Sequence, residues 1–187
     1  MKLTLATLFG LSFALALLSG CSTAPTTSEA RTNLHNSAQS SLETFTRVDP
    51  GMKDFLKKSY GYAIIPDVGK GGLIVGGAYG NGEVYERGTM IGWCDMSQAT
   101  IGAQIGGQSY AELLVFEDKS ALDQFKRDET HFSAQASAVA LKSGASADAK
   151  FTDGVAVFTM TNAGAMLEAS IGGQKFTFKP KATQPAM

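Results

Sequence analysis

Apolar residues in the first part of the chain recur with the period of a helix. Leu34, Ala38, Leu42 and Phe45 lie three or four residues apart, with polar residues between them. This spacing places one apolar stripe along a helix and predicts a helix over about residues 29–47.

A second, shorter helix is expected over about residues 50–59, after a Pro-Gly pair that ends the first helix. Its two sides differ in chemistry. The apolar side carries Met52, Phe55 and Leu56, and the basic side carries Lys53, Lys57 and Lys58. The helix is therefore predicted to be amphipathic, with a basic side.

The stretch that follows, residues 61–80, combines two apolar strand-like runs with many glycines. Pro66 and Asp67 are predicted to break the first run, as these residues do in turns. Just beyond the stretch, Asn81-Gly82 is the type of pair that closes a two-residue hairpin. Glycine weakens a strand unless a bend, a bulge or a close approach requires it. The repeated glycines therefore indicate a strongly curved sheet, or a surface on which something lies flat.

Beyond residue 82 the apolar positions mostly follow a period of two, which is typical of strands. A short helix capped by Asp118 is expected over about residues 119–127. Strands are expected over about residues 83–87, 90–94, 100–105, 111–116, 131–141, 155–161, 165–171 and 175–178. The predicted fold is α+β, with N-terminal helices packed on a strongly curved, glycine-rich antiparallel sheet or barrel-like sheet.

Composition and charge narrow the classes of function. Hydrophobic residues make up 44% of the 187 residues and charged residues 18%, which suffices for one domain with a buried core. The formal net charge is −1. Nucleic acid is therefore not expected as a partner, because general nucleic-acid binding needs a clustered basic surface.

The first 21 residues have the features of a secretory leader. Lys2 gives a short basic start, residues 3–18 are almost all apolar, and Leu18-Ser19-Gly20-Cys21 follows. A Cys directly after small residues is similar to a lipobox, in which the Cys21 thiol takes a diacylglycerol and the new N-terminus is acylated. The alternatives are a plain signal peptide with a chance Cys, and a transmembrane anchor, for which the apolar run is short.

The expected organisation has four parts. Residues 1–20 form a lipoprotein signal peptide, residues 21–28 a lipidated Cys and flexible tether, residues 29–179 the domain, and residues 180–187 a disordered tail. The expected location is the bacterial cell envelope, lipid-anchored. If the host is Gram-negative, a Ser rather than an Asp after the Cys is similar to outer-membrane sorting.

Motifs for catalysis and metal binding are missing. Neither His35 nor His131 has a further ligand at metal-binding spacing, so no metal is expected. The Gly-Lys-Gly around Lys70 does not fit a phosphate-binding loop, because the flanking Gly and Ser/Thr are absent. Cys94 stands alone and is typical of a small core residue. No catalytic residues, cofactor or enzymatic activity are expected, because no set of nucleophile, base and orienting group is visible.

Several spaced motifs together resemble the SYLF domain family of lipid-binding proteins, of which some eukaryotic members, including those of yeast, are described as actin-binding. The first motifs are FLKKSYGYAIIPDVGKGGLIVGGAYGNGEV and IGAQIGGQSYAELLVFEDKSALDQF. The later segments SAQASAVAL and GVAVFTMTNAGAMLEASIGGQKF also stand in family order. The resemblance covers about residues 40–178 and is to the bacterial lipoprotein branch, which is consistent with Cys21.

The resemblance implies a non-catalytic domain that binds membrane phospholipid, with anionic or phosphoinositide-like headgroups. Because bacteria generally lack phosphoinositides, anionic phospholipid is the expected ligand. The family mode uses a basic amphipathic helix. At matching positions the headgroup candidates are Lys53, Lys57, Lys58 and Lys70, and the membrane-facing apolar candidates are Phe55 and Leu56. The alternatives are that the helix lysines form a solvated face and that Lys70 caps a turn.

Two other functions are open at this point. One is a structural or protein-interaction lipoprotein that meets an envelope protein partner and does not bind lipid specifically. The other is a hydrolase or a scavenger of small ligands, which would need a pocket that gathers Tyr85, Cys94 or His131.

Overall fold

The computed structural model describes residues 25–72, 75–101, 108–128, 138–161 and 173–181. Within these ranges, helices and strands alternate in a mixed α+β order. The helices are α1 (Ser28–Val48), α2 (Met52–Lys58), α3 (Lys119–Lys126) and α4 (Ala145–Asp148). The strands are β1 (Gly61–Gly72), β2 (Val75–Glu86), β3 (Thr89–Ile101), β4 (Gln108–Phe116), β5 (Val139–Ala140), β6 (Val155–Thr161) and β7 (Gln174–Pro180).

The seven strands form one sheet in the order β5-β6-β4-β1-β2-β3-β7. All neighbouring pairs are antiparallel except β5 and β6, which are parallel. Among the described strands the sheet does not close, and β5 and β7 form its two edges. The predicted α+β class is confirmed, whereas the barrel-like alternative does not hold for the described strands.

The three longer helices lie where the apolar periods predicted them. The Oγ1 of Thr27 accepts a hydrogen bond from the backbone N–H of Ala30 at 3.1 Å and caps α1. Asp118 caps α3 in the same way through the N–H of Ala121 at 2.9 Å. The predicted strand at 165–171, and most of the one at 131–141, lie outside the described residues.

Two predicted turns are wrong. Asn81-Gly82 lies inside β2, opposite Asp95 and Cys94 of β3, and Pro66-Asp67 lies inside β1. The register between β1 and β2 shifts between Ile64 and Asp67, so Pro66 sits at a bulge, where its missing N–H is tolerated.

Gly82 has a steric reason for its place in a strand rather than a turn. A Cβ at this position would lie 2.5 Å from the carbonyl oxygen of Ile64 and 2.7 Å from Cγ1 of Ile65. The bulged part of β1 therefore approaches β2 too closely for any side chain. The actual two-residue turn between β2 and β3 is Arg87-Gly88, with φ of 48° and 79°.

β1 is buried on both sides of the sheet. Ile64 belongs to a core cluster that includes Phe45 of α1 and Met52, whereas Ile65 belongs to a second cluster that includes Phe125 of α3. All five side chains named here have no exposed surface. Because successive strand residues point to opposite faces, one run of apolar residues supplies two cores.

A buried polar contact joins strands that are distant in the sheet order. Gln174 of β7 donates a hydrogen bond to the carboxyl of Glu112 on β4 at 2.9 Å, although β1, β2 and β3 lie between these strands. Glu112 has no exposed surface. Burial raises the pKa of Glu112 to about 7, against the opposing effect of hydrogen bonds from Gln174 and Tyr110.

This raised pKa predicts a stability that falls with pH. Between pH 4.5 and about 7 the unfolded chain ionises Glu112 while the folded chain keeps it protonated, so stability is lost over this window and then levels off. The loss amounts to about 3 kcal/mol at neutral pH, from about 1.4 kcal/mol per pKa unit. Glu112→Gln cannot ionise, and we expect it to lose less stability than the native chain between pH 4.5 and 8.

Urea denaturation of both proteins at pH 4.5, 6 and 8 measures this difference. All other titrating groups are shared, so they cancel when the two pH profiles are subtracted. Parallel pH profiles for Glu112→Gln and the native chain would contradict the assignment.

Candidate functional site

The basic side of α2 faces an open groove of about 630 Å³. We call it the basic groove. Residues from α1, α2, the start of β1 and the β2–β3 turn surround it. It is lined by Leu42, Thr46, Lys53, Leu56, Lys57, Lys58, Ser59, Tyr60, Gly61, Tyr62, Arg87, Gly88 and Glu117. The structure thus brings the three predicted lysines of α2 together at one site.

The position of α2 depends on the buried carboxylate of Asp49, between α1 and α2. It accepts hydrogen bonds from the backbone N–H groups of Gly51 at 3.1 Å, Gly144 at 3.4 Å and Ser146 at 2.6 Å. Burial alone raises the pKa of Asp49, but the hydrogen bonds from Ser146, Gly51 and Gly144 outweigh burial and hold the pKa below 3.8. Asp49 therefore ties the start of α2 to the start of α4.

The groove is also lined by an aromatic side chain, Tyr60, which is held by its neighbours. The hydroxyl of Tyr60 donates to Oε1 of Glu86 at 3.0 Å, and Nζ of Lys126 donates to Oε2 of Glu86 at 2.6 Å. The hydrogen bond from Lys126 lowers the pKa of Glu86. The guanidinium of Arg87 lies over the Tyr60 ring, 4.8 Å from its centre. One side of this groove is therefore a tyrosine held in place, with a cation stacked on it.

Positive charge exceeds negative charge around the basic groove. Lys57 lies 3.8 Å from Asp54, but these side chains are 78% and 75% exposed, so the pair contributes little. Across the described ranges, Lys53 and Lys58 form no ion pair within 4.0 Å. Four cationic side chains thus line the groove against the single carboxylate of Glu117. This arrangement suits an anionic group that has an apolar portion.

The two predicted apolar residues of α2 point to different surroundings. Leu56 lines the basic groove. Phe55 is half-buried and stacks on Phe151, with ring centres 5.5 Å apart, and meets the edge of Phe158 at 5.6 Å. Adjacent helix positions differ by about 100° around the axis, which accounts for the divergence. The Phe55 ring therefore packs on the protein's own aromatic residues rather than lying on the open side of α2.

Lys70 does not share the groove. It lies near the far end of β1, where it pairs with Ala78 of β2 and Gln108 of β4, whereas the groove is at the Gly61 end. Cys21 lies outside the described residues.

Sequence reasoning missed several groove residues, and Arg87 is the most informative. It adopts a φ of 48°, a region that non-glycine residues other than Asn and Asp seldom occupy. The only sign of this in the sequence is an Arg-Gly pair after an alternating strand. The pair indicates a turn, but it does not indicate that Arg87 lies beside Tyr60. The aromatic and apolar residues were missed because α1 and β1 meet only in the folded chain. They are Leu42, Tyr60 and Tyr62.

The residues considered for a hydrolase do not assemble. Tyr85 belongs to the core cluster on the α1 side of the sheet, and Cys94 to the cluster on the α3 side. Complete burial raises the pKa of the Cys94 thiol far above its usual value, which disfavours the thiolate. His131 lies outside the described residues. Within the described part, no group of three His, Cys, Asp or Glu side chains is placed to hold a metal ion.

Comparison with known proteins finds a family that matches the second half of the chain. A family model described as "Ysc84: Las17-binding protein actin regulator" matches residues 97–185. This match confirms the resemblance of the chain to the Ysc84, or SYLF, family that its motifs indicated. The matched region begins in β3 and so follows α1, α2 and the turn that carries Arg87.

A curated relative extends the similarity toward the N-terminus. "Beta cell expansion factor A" of Aeromonas veronii is 30% identical over 160 residues, which is 85% of this chain and 61% of the relative. The chain thus spans about three-fifths of that protein's length.

None of the helices in the described ranges combines the length and apolar character needed to cross a bilayer.

The hydrogen bonds of Asp49 predict that Asp49→Asn lowers the stability of the protein substantially. In Asp49→Asn, an amide N–H₂ replaces one acceptor oxygen and faces a backbone N–H, so a buried donor loses its partner. We expect the free energy of unfolding to fall by about 2 kcal/mol. Because the pKa of Asp49 is lowered, its contribution is present above pH 3.8 and is lost as the pH falls through the folded-state value.

Asp54→Asn is the matched control, since it makes the same chemical change on the exposed side of α2. Urea denaturation at pH 7 compares the two variants with the native chain. The interpretation fails if Asp49→Asn is no more destabilised than Asp54→Asn.

Proposed function

We propose that this chain binds the headgroups of anionic phospholipids in the basic groove and has no catalytic activity. The observation that carries the proposal is the convergence of Lys53, Lys57, Lys58 and Arg87 on one groove, with a single carboxylate among the lining residues. The groove is open to solvent, as contact with a bilayer would require.

The lining of the groove offers cationic groups for the phosphate of a phospholipid and apolar groups for its glycerol backbone. Lysine near an anionic membrane contributes about 1 kcal/mol per residue, and these contributions weaken with salt. The guanidinium of Arg87 offers planar donors that match the oxygens of a phosphate. Leu42, Leu56 and the tyrosine rings supply apolar surface for the glycerol backbone.

The family match supports a binding role. The family description names Las17 binding and actin regulation, and these words apply to the proteins after which it is named. For this chain we propose lipid, because the basic groove presents cations rather than a broad apolar face. The alternative, an envelope lipoprotein that meets a protein partner, predicts a crosslinked partner and indifference to lipid.

We further propose that acyl chains on Cys21 hold the protein in the bacterial envelope, with the outer membrane as its location. Ser28, the start of α1, lies seven positions after Cys21, and an extended segment of seven steps reaches at most about 24 Å. The groove residue Leu42 lies about 21 Å along α1 from Ser28, at 1.5 Å per residue. An anchored domain therefore has enough reach to lay its groove on the same bilayer.

Charge reversal of two groove lysines tests the proposal. In the full chain carrying Cys21→Ser, which removes the lipidation site, we expect Lys57→Glu/Lys58→Glu to weaken binding to phosphatidylglycerol vesicles about tenfold or more. Co-sedimentation at 50 and 200 mM NaCl measures binding, and the variant is expected to show the weaker salt dependence.

The double variant Lys142→Glu/Lys150→Glu is the control. It makes the same change in net charge at two exposed lysines that do not line the groove. Phosphatidylcholine vesicles report any contribution of the apolar leader, which all variants share. Equal binding by the groove variant and the control variant would refute the proposal.

A further inference from the structure

A second pocket lies toward the N-terminal end of α1 and shares no lining residue with the basic groove. Its volume is about 600 Å³, a size typical of small-molecule sites. We call it the Trp93 pocket. It is lined by Arg31, Thr32, His35, Glu83, Met90, Trp93 and Lys181.

Two cations stand at this pocket without a carboxylate partner in the described ranges. The guanidinium of Arg31 lies over the Trp93 ring, 4.6 Å from its centre, and its Nε donates to the carbonyl oxygen of Pro25 at 3.0 Å. These contacts fix the plane of the guanidinium and leave its two terminal nitrogens for a ligand. The backbone N–H of Lys181 donates a hydrogen bond to the carbonyl oxygen of Ile91 at 2.8 Å. This bond fixes the backbone position from which the Lys181 side chain extends.

The one carboxylate of the pocket is already engaged. Glu83 is buried and accepts a hydrogen bond from the Tyr85 hydroxyl at 2.7 Å and from Nδ1 of His35 at 3.1 Å. Gln39 in turn donates to the Tyr85 hydroxyl at 2.9 Å. Glu83 forms no ion pair within 4.0 Å with Arg31 or Lys181 in the described ranges, so two cationic side chains stand against one carboxylate among the lining residues.

The indole of Trp93 supplies a donor with no acceptor. Its Nε1 is buried, and in the described part of the chain it has no hydrogen-bond partner. A buried indole N–H usually has a partner, and leaving one unsatisfied costs free energy. Trp93 nevertheless lines the pocket, and the two nearby cations favour an anionic ligand there.

We infer that the Trp93 pocket binds a phosphate group carried by a small ester or a lipid headgroup. Arg31 and Lys181 would hold the phosphate oxygens, and the side chains of Trp93 and Met90 would contact the apolar part of the ligand. This site is distinct from the basic groove and does not depend on it.

Trp93 is the only tryptophan of the chain, so intrinsic fluorescence reports on this pocket directly. The full chain carrying Cys21→Ser is titrated with glycerol 3-phosphate, with inorganic phosphate, and with phosphatidylglycerol vesicles, at constant ionic strength. We expect a saturable change in Trp93 emission with at least one of these probes. Sodium chloride and phosphatidylcholine vesicles are expected to give none.

Lys181→Gln is the first variant, because it leaves the stacked Arg31 and the indole intact. We expect it to raise the apparent dissociation constant about fivefold or more, as loss of a charge-assisted contact does. Arg31→Gln alters the emission of Trp93 itself, so its binding is measured from the ³¹P resonance of glycerol 3-phosphate. Arg47→Gln, at the other end of α1, is the control of equal charge and should bind as the native chain does.

The outcomes separate this site from the proposed function. If Lys57→Glu/Lys58→Glu retains the Trp93 response to glycerol 3-phosphate, the second site stands whether or not the groove binds vesicles. A response to vesicles but not to free esters identifies a headgroup as the source of the phosphate. If no probe changes the emission saturably, or if Lys181→Gln and Arg47→Gln bind equally, the inference is overturned.

Discussion

Burial of β1 on both of its faces is the constraint on which the other features depend. Ile64 and Ile65 enter different cores, so β1 is fixed between the α1 side and the α3 side of the sheet. The start of β1 then forms the floor of the basic groove. At Gly61 a Cβ would collide with the carbonyl oxygen of Tyr85. The backbone of β1 therefore lies too close to β2 at this point to carry a side chain. The groove is therefore built on a strand that is buried on both faces of the sheet.

The helices were predictable because their information is local. Apolar spacing and capping residues such as Asp118 act within one or two turns, and they indicated α1, α2 and α3. The hairpin turn was misplaced because Asn81-Gly82 has the composition of a turn while Gly82 serves a contact between strands. That contact depends on the bulge of β1 near Pro66, and no local pattern specifies which strand lies opposite.

The candidate site was predictable in part for the same reason. Lys53, Lys57 and Lys58 lie on one short helix, so their proximity follows from spacing alone. Arg87 is about thirty residues further along, and its place in the groove depends on the pairing of β1 with β2. Lys70 was grouped with the α2 lysines by sequence, but β1 is extended and carries it to the opposite end of the strand.

Net charge proved a poor guide to local electrostatics. The chain has a formal charge of −1, yet the described surface places cations around two separate pockets along α1. Several carboxylates near these pockets are engaged in internal contacts: Glu83 with Tyr85, and Glu86 with Lys126. Cationic side chains thus outnumber carboxylates among the lining residues of both pockets, although the protein as a whole is weakly acidic.

Lysine acetylation followed by mass spectrometry tests the central claim most directly, because it reports which side chains a membrane covers. The chain is labelled briefly with and without phosphatidylglycerol vesicles, and each lysine is compared with itself. If the basic groove meets the bilayer, Lys53, Lys57 and Lys58 are protected while Lys142 and Lys150 react as before. Protection of the second pair without the first would contradict the account.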